Sequence, residues 1–417
     1  MCESTAVPAE NPSPTRDIRL LFATRILRMF AYGLLSVVLV LHLTASGLSE
    51  SQIGLLLTLT LMGDTGISLL ITTRADRRGR RRMLVLGALL MILAGVLFAV
   101  TRSFWLLLLA ATVGVISPSG NEVGPFLAVE QAALTEALPA DRHTGGFAWY
   151  NLAASFATAF GSLTGGALAE ALQGNGISTL GSYRTLACVY AVAGGGLAFL
   201  FSRMSAAVEA PCMVRGEPPP RIPVFHLGLG ASRNKIFKLA GLFSMDAFAG
   251  GFVVQAFVAY WFQRRFGASP SLLGSIFFGA NILAGLSALT ASRLAKRIGL
   301  LATMVATHIP SNLLLLLVPL MPSLPLAIAV LLLRFSISQM DVPTRQAYTM
   351  ALVPADERAA AAGVTGIART VGASISPIFA GPLYASAALA SIPFFLGGGI
   401  KIVYDLLVWR AFKKVKL

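Results

Sequence analysis

Residues 69–100 read LLITTRADRRGRRRMLVLGALLMILAGVLFAV. Arg74, Arg77, Arg78, Arg80, Arg81 and Arg82 crowd around Asp76 and Gly79, and residues 83–100 then carry no charge at all. An apolar run of about 20 residues matches the ~30 Å hydrocarbon core of a bilayer. Arginines crowded at its edge match the basic excess that keeps a loop on the cytoplasmic face. The stretch therefore reads as a cytoplasmic loop leading into a transmembrane helix.

The same alternation runs outward in both directions. Apolar blocks fall at roughly 20–43, 52–72, 83–101, 104–127, 146–170, 183–203, 238–262, 272–292, 300–321, 326–350, 360–384 and 391–411. The chain of 417 residues is 56% hydrophobic and 12% charged, against about 25% charged in a soluble domain. The expected class is an all-α polytopic membrane protein with twelve transmembrane helices. Its net charge of +15 sits in loops after even-numbered blocks, with Arg293, Lys296 and Arg297 between blocks 8 and 9 and Arg410, Lys413, Lys414 and Lys416 in the tail. That is a topology signal, not a nucleic-acid face. Both termini are expected in the cytoplasm.

Cys2, Cys188 and Cys212 are too scattered for a disulfide framework or a metal cluster. No cofactor and no metal are expected. The N-terminus has no signal-peptide core, and no Asn-x-Ser/Thr sequon with a permitted middle residue occurs. Arginine outnumbering lysine joins these in pointing to a bacterial inner membrane.

The chain is read as an N-terminal six-helix bundle (1–203), a cytoplasmic linker containing Pro218-Pro219-Pro220 (204–236) and a C-terminal six-helix bundle (237–417). The bundles repeat. A shift of 220 residues aligns Gly47, Ser49, Gly54 and Gly79 with Gly267, Ser269, Gly274 and Gly299, and a shift of 215 aligns Gln131-Ala132 and Pro139-Ala140-Asp141 with Gln346-Ala347 and Pro354-Ala355-Asp356. Copies of equal orientation imply a pseudo-two-fold axis along the membrane normal, with a cavity between halves.

Twelve spans, the six-plus-six repeat and the basic loop resemble the major facilitator superfamily along essentially the whole chain, closest in motifs to bacterial drug and metabolite exporters. The stretch Thr72-Thr73-Arg74-Ala75-Asp76-Arg77-Arg78-Gly79-Arg80-Arg81 resembles that family's loop signature G-x-L-A-D-R-x-G-R-[RK], with Thr72 and Arg74 replacing its Gly and Leu. The second half carries a degraded copy at 292–299, with Lys296 in place of the acid. The resemblance implies a conformational role for Asp76, Arg77, Gly79, Arg80 and Arg81. On physical grounds Gly79 permits a tight turn, and Asp76 can cap a helix of the other half or pair with a neighbouring arginine. Gly363-x8-Gly372-x3-Ser376-Pro377-x2-Ala380-Gly381 resembles the family's antiporter signature, moved from helix 5 to the pseudo-equivalent helix 11. Arg334 in helix 10 resembles the buried arginine that proton antiporters of the family carry in helix 4.

Ionisable groups inside a span are costly and are functional candidates by default. Asp64, Glu122, Asp246 and Asp341 are the transport or proton-coupling candidates, with Glu130 and Asp405 as further buried acids. Arg25, Arg28, Arg334 and Arg369 are candidate cavity or gate charges. The spacings Asp341/Arg345 and Lys401/Asp405 allow pairing within one helix. Depth along the helices places Asp64 opposite Arg369, and Arg25 level with Asp246. His308 reads as a packing histidine. Tyr32, Phe248, Phe252 and Phe335 can line an apolar site.

The expected function is secondary active transport of a small organic solute by alternating access, as proton-coupled efflux from a monomer in the lipid bilayer. Uptake by proton symport or facilitated diffusion stays open, and so does the solute's charge. No catalytic grouping and no phosphate-binding loop is present, so an enzyme or ATP-driven pump is not expected.

Overall fold

The computed structural model describes residues 14–122, 124–139, 143–205, 208–209, 229–230, 232–354 and 357–415. Among them the chain is helical throughout, in fifteen α-helices. Nine are single spans: α1 (Pro14–Ala45), α2 (Glu50–Arg78), α3 (Arg80–Val100), α6 (His143–Gly174), α7 (Thr179–Ser202), α10 (Pro270–Ile298), α11 (Leu300–Leu317), α14 (Arg358–Ala385) and α15 (Ile392–Phe412). The other six pair up as interrupted spans: α4 (Phe104–Val113) with α5 (Phe126–Ala137), α8 (Arg233–Gly251) with α9 (Gln255–Phe266), and α12 (Leu324–Ser338) with α13 (Asp341–Ala351). That gives twelve spans, as the apolar blocks predict. Spans four, seven and ten are single apolar blocks in the sequence but are broken in the middle in the structure.

The duplicated markers take the same job in both halves. Ser49 and Ser269 accept backbone N–H bonds at the starts of α2 and α10. Gly79 and Gly299 (φ +98° and +87°) make the turns into α3 and α11, a backbone region closed to most side chains. Gly54 and Gly274 lie where two helices almost touch.

These near-touching glycines hold the halves together on the side away from the chain ends. A methyl on Gly54 would meet the Pro377 carbonyl oxygen at 2.5 Å, and one on Gly381 the Glu50 oxygen at 2.3 Å. Gly166 against Pro270 (2.1 Å) and Gly274 against Ser162 (2.7 Å) repeat this between α6 and α10. Lipid gives helices no hydrophobic drive to associate, so close packing through small residues supplies the contact. Polar bonds reinforce it: Glu50 accepts from Tyr260 (2.7 Å) and Arg264 (3.2 Å), and Arg264 donates to the Tyr384 and Ala385 carbonyls. Nearer the chain ends the pattern does not repeat between α2 and α14: methyls on Gly66, Gly363 or Gly366 would meet nothing. The seams thus close the molecule on the far side.

On the side of the termini the loop into α3 is tied to the linker. Glu209 accepts from the backbone N–H groups of Arg80 (2.5 Å) and Arg81 (3.3 Å), capping the start of α3, where unpaired N–H groups favour an anion. Arg80 also donates to Glu136 at 2.8 Å, and Arg81 to the Met204 carbonyl. The side chains of Asp76 and Arg77 lie outside the described residues, as do Asp141 and Asp356 of the repeat.

Candidate central cavity and its charge networks

A cavity of about 400 Å³ lies between the halves, within the ~300–1,000 Å³ of small-molecule sites. All three interrupted spans reach it: Ser119, Asn121 and Glu122 from the break between α4 and α5, Val253 and Val254 from the break in span seven, and Arg334, Phe335 and Gln339 around the break in span ten. Unwound backbone inside a membrane survives only where protein or a cavity satisfies it. Part of that demand is met across the halves, where the Ala256 N–H, in the first turn of α9, donates to the Pro118 carbonyl at 3.0 Å. Asn151, Ser155, Thr158, Gln255 and Asn281 add a neutral polar lining. Gln255 donates to Ser36 at 2.8 Å and accepts from Asn281 at 3.3 Å.

Beside the cavity each half holds a buried charge network. In the first, Arg28 is completely buried and forks onto Glu130, also completely buried, through bonds of 2.8 and 2.6 Å. It also reaches Glu122 at 2.9 Å. Tyr150 and Thr24 donate to Glu130 at 2.5 and 2.9 Å, which satisfies its remaining lone pairs. Arg25 pairs with Glu122 and lies over the Tyr150 ring. Bidentate geometry with further donors is the condition under which a buried pair offsets its desolvation cost.

The second network centres on Asp246, which receives Lys401 at 2.5 Å, Arg369 at 3.1 Å and Arg345 at 3.2 Å. Arg345 also donates to Asp341 at 2.9 Å. His308 Nδ1 lies 2.8 Å from Asp405, with its Nε2 3.7 Å from Asp246. The polarity is reversed between halves: a base on span one meets an acid on span four, whereas an acid on span seven meets a base on span ten. Over both networks and the cavity wall, the cations Arg25, Arg28, Arg334, Arg345, Arg369 and Lys401 outnumber the acids Glu122, Glu130, Asp246, Asp341 and Asp405 by one.

Several sequence-based pairings change. Asp341 and Arg345 do pair along one helix turn. Lys401 and Asp405 do not, because Asp246 from α8 takes the lysine and His308 takes the aspartate. His308 is thus a network member and not only a packing residue. Arg369 reaches Asp246, not Asp64, in this conformation, and Arg25 pairs with Glu122 of its own half, not with Asp246. Residue counting gives depth along a helix but not direction around it. Asp64 joins neither network nor the cavity wall. Among the described residues its buried Oδ1 has no hydrogen-bond partner. Of the four aromatic candidates only Phe335 lines the cavity; Tyr32 is buried against Tyr190. Sequence reading missed Lys401 as a cavity residue, the five amides of the wall and Glu209. The one available signal was amide side chains inside apolar blocks.

Comparison with known proteins agrees with this architecture. The Major Facilitator Superfamily profile matches residues 21–377. A membrane protein of Saccharomyces cerevisiae, YJR124C, is 30% identical over 419 residues, covering 94% of this chain and 93% of that protein. A bacterial homologue of the human lysosomal transporter Spinster, inward-facing and occupied, superposes with TM-score 0.73 at 16% identity, over 98% of this chain and 99% of that one. The nucleoside transporter NupG gives 0.73 at 14% identity, over 96% and 99%. A D-xylose-proton symporter gives 0.71 at 15% identity, over 94% and 97%.

Proposed function

The chain belongs to the major facilitator superfamily, and from that premise we propose that it carries a small solute through the central cavity by alternating access, in exchange for protons. It is a membrane transporter and not an enzyme. The observation that carries the reading is the polar cavity built by both halves and shut on one side by the glycine seams. Parting the seams would present the cavity to the far side.

Asp64 is the proposed proton carrier. Glu122, Asp246 and Asp341 are each bonded to at least one cation, whereas Asp64 forms no ion pair among the described residues. Its buried Oδ1, likewise without a partner, is free to take a proton. On the cavity wall itself, Glu122 is held by Arg25 and Arg28. The arginine-rich loops support placing the chain in a plasma membrane with both ends cytoplasmic.

Proteoliposomes carrying a luminal pH dye test this. Solute added outside alkalinises the lumen in exchange and acidifies it in symport. Solute flux with no pH response would refute the coupling, and vesicles that carry nothing would refute transport.

A further inference from the structure

We propose that the solute is a small organic anion, and that Arg334 takes its carboxylate or phosphate group. The inference rests on the cavity being the transport path.

Four charged side chains line that cavity: Arg25, Glu122, Arg334 and Lys401. Three are already engaged. Glu122 is shared by Arg25 and Arg28, and Lys401 is held by Asp246. Arg334 makes no hydrogen bond or ion pair among the described residues. Its buried Nε is unsatisfied, and its one contact of note is the Phe335 ring, 5.0 Å from the guanidinium carbon. It is the cation left over when the acids of both networks have been assigned.

Its depth makes that vacancy costly. Arg334 lies ten residues from the start of α12 at Leu324, ~15 Å along the helix, which is the middle of a ~30 Å core. A guanidinium held there with no carboxylate bonded to it is expensive, since Asp341 and Asp246 act on it only from a distance. An anion entering the cavity supplies the partner, and the planar fork matches carboxylate and phosphate oxygens two at a time. The stack on Phe335 holds the guanidinium plane beforehand. A cationic solute would meet the opposite situation, since Glu122, the one acid on the wall, already carries two arginines. Asn121, Asn151, Asn281 and Gln339 offer hydrogen bonds to a polar remainder.

The test is thermal unfolding of the purified full chain in neutral detergent. Concentration series of succinate, citrate, glycerol 3-phosphate and phosphatidylglycerol are compared with glucose, uridine and tetraethylammonium. The expected result is a saturable rise in Tm with at least one anion and none with the neutral or cationic compounds. Phosphatidylglycerol acting alone would assign the site to a lipid headgroup and overturn the solute reading. Arg334→Gln should weaken the anion response about 10- to 100-fold, the loss of a charge-assisted bond, and Arg334→Lys less. Asn281→Asp, an acid placed on the same wall, should also weaken it, so the proposal stays testable if Arg334→Gln misfolds. No response to any anion, an unchanged response in Arg334→Gln or Arg334→Lys, or stabilisation by tetraethylammonium would overturn it. A neutral or cationic solute carried in the flux assay would overturn the charge assignment and leave transport standing.

Discussion

Replacing Gly381 by alanine tests the far-side seam most directly. A methyl at that position would sit 2.3 Å from the Glu50 carbonyl oxygen, where ordinary contact begins near 3.4 Å. That oxygen and the Gly54 Cα and nitrogen behind it (3.0 and 3.1 Å) are all backbone, so no side chain can swing aside, and α2 and α14 must separate by about 1 Å (3.4 − 2.3). Overpacking of this kind costs roughly 1–3 kcal/mol. Alanine also favours helix over glycine by about 1 kcal/mol, but α14 is helical whichever way the cavity faces, so that gain cancels in the conformational equilibrium. The clash remains, and it weighs only on the state with the seam closed. Far-side opening should therefore become about 5- to 150-fold more populated. Spin labels on Ala45→Cys and Ala387→Cys, in a chain freed of Cys2, Cys188 and Cys212, report the far-side distance across the halves. The distribution should gain a longer component in Gly381→Ala and none in Gly399→Ala, whose added methyl meets nothing. An unchanged distribution in Gly381→Ala would refute the seam as the closing element.

Other consequences are as open to measurement. Arg28→Met strands the buried Glu130 carboxylate and should cost about 3–5 kcal/mol; adding Glu130→Gln should recover most of the lost Tm, and additive losses would show the pair is not coupled. Glu209→Gln weakens the anionic cap on α3 and should cost about 0.5–2 kcal/mol, seen as faster hydrogen exchange at the Arg80 and Arg81 amides; unaltered exchange would remove the linker from that role. Asp64→Asn should abolish proton-driven flux while sparing solute-for-solute exchange, and a full pH response in the variant would exclude Asp64 as carrier.

The spans were legible because apolar length and arginine placement answer to the bilayer itself, and those constraints are local in sequence. The repeat was legible for a similar reason: Gly79 and Gly299, or Ser49 and Ser269, do backbone work that few other residues can do. Breaks were harder. Pro118 and Gly120 announce the one in span four, but Gln339 and Met340 carry no such mark in span ten. The charge networks were readable only within a helix turn, as for Asp341 and Arg345. Asp246 gathers bases from three other helices, and residue spacing has no term for how helices rotate against one another. For the same reason the sequence left the solute's charge undecided, since acids and bases nearly balance until each acid is assigned its partner.

The bond from the Ala256 N–H to the Pro118 carbonyl joins the first turn of α9 to the break in span four, main chain to main chain. It has no side chain to substitute. Residues around it can drift through many solute specificities without touching this join, and only proline at 256, which lacks the donor, deletes it outright. An engineer recombining one half of this chain with the other half of a relative can thus expect this bond to carry over wherever both breaks keep their backbone path.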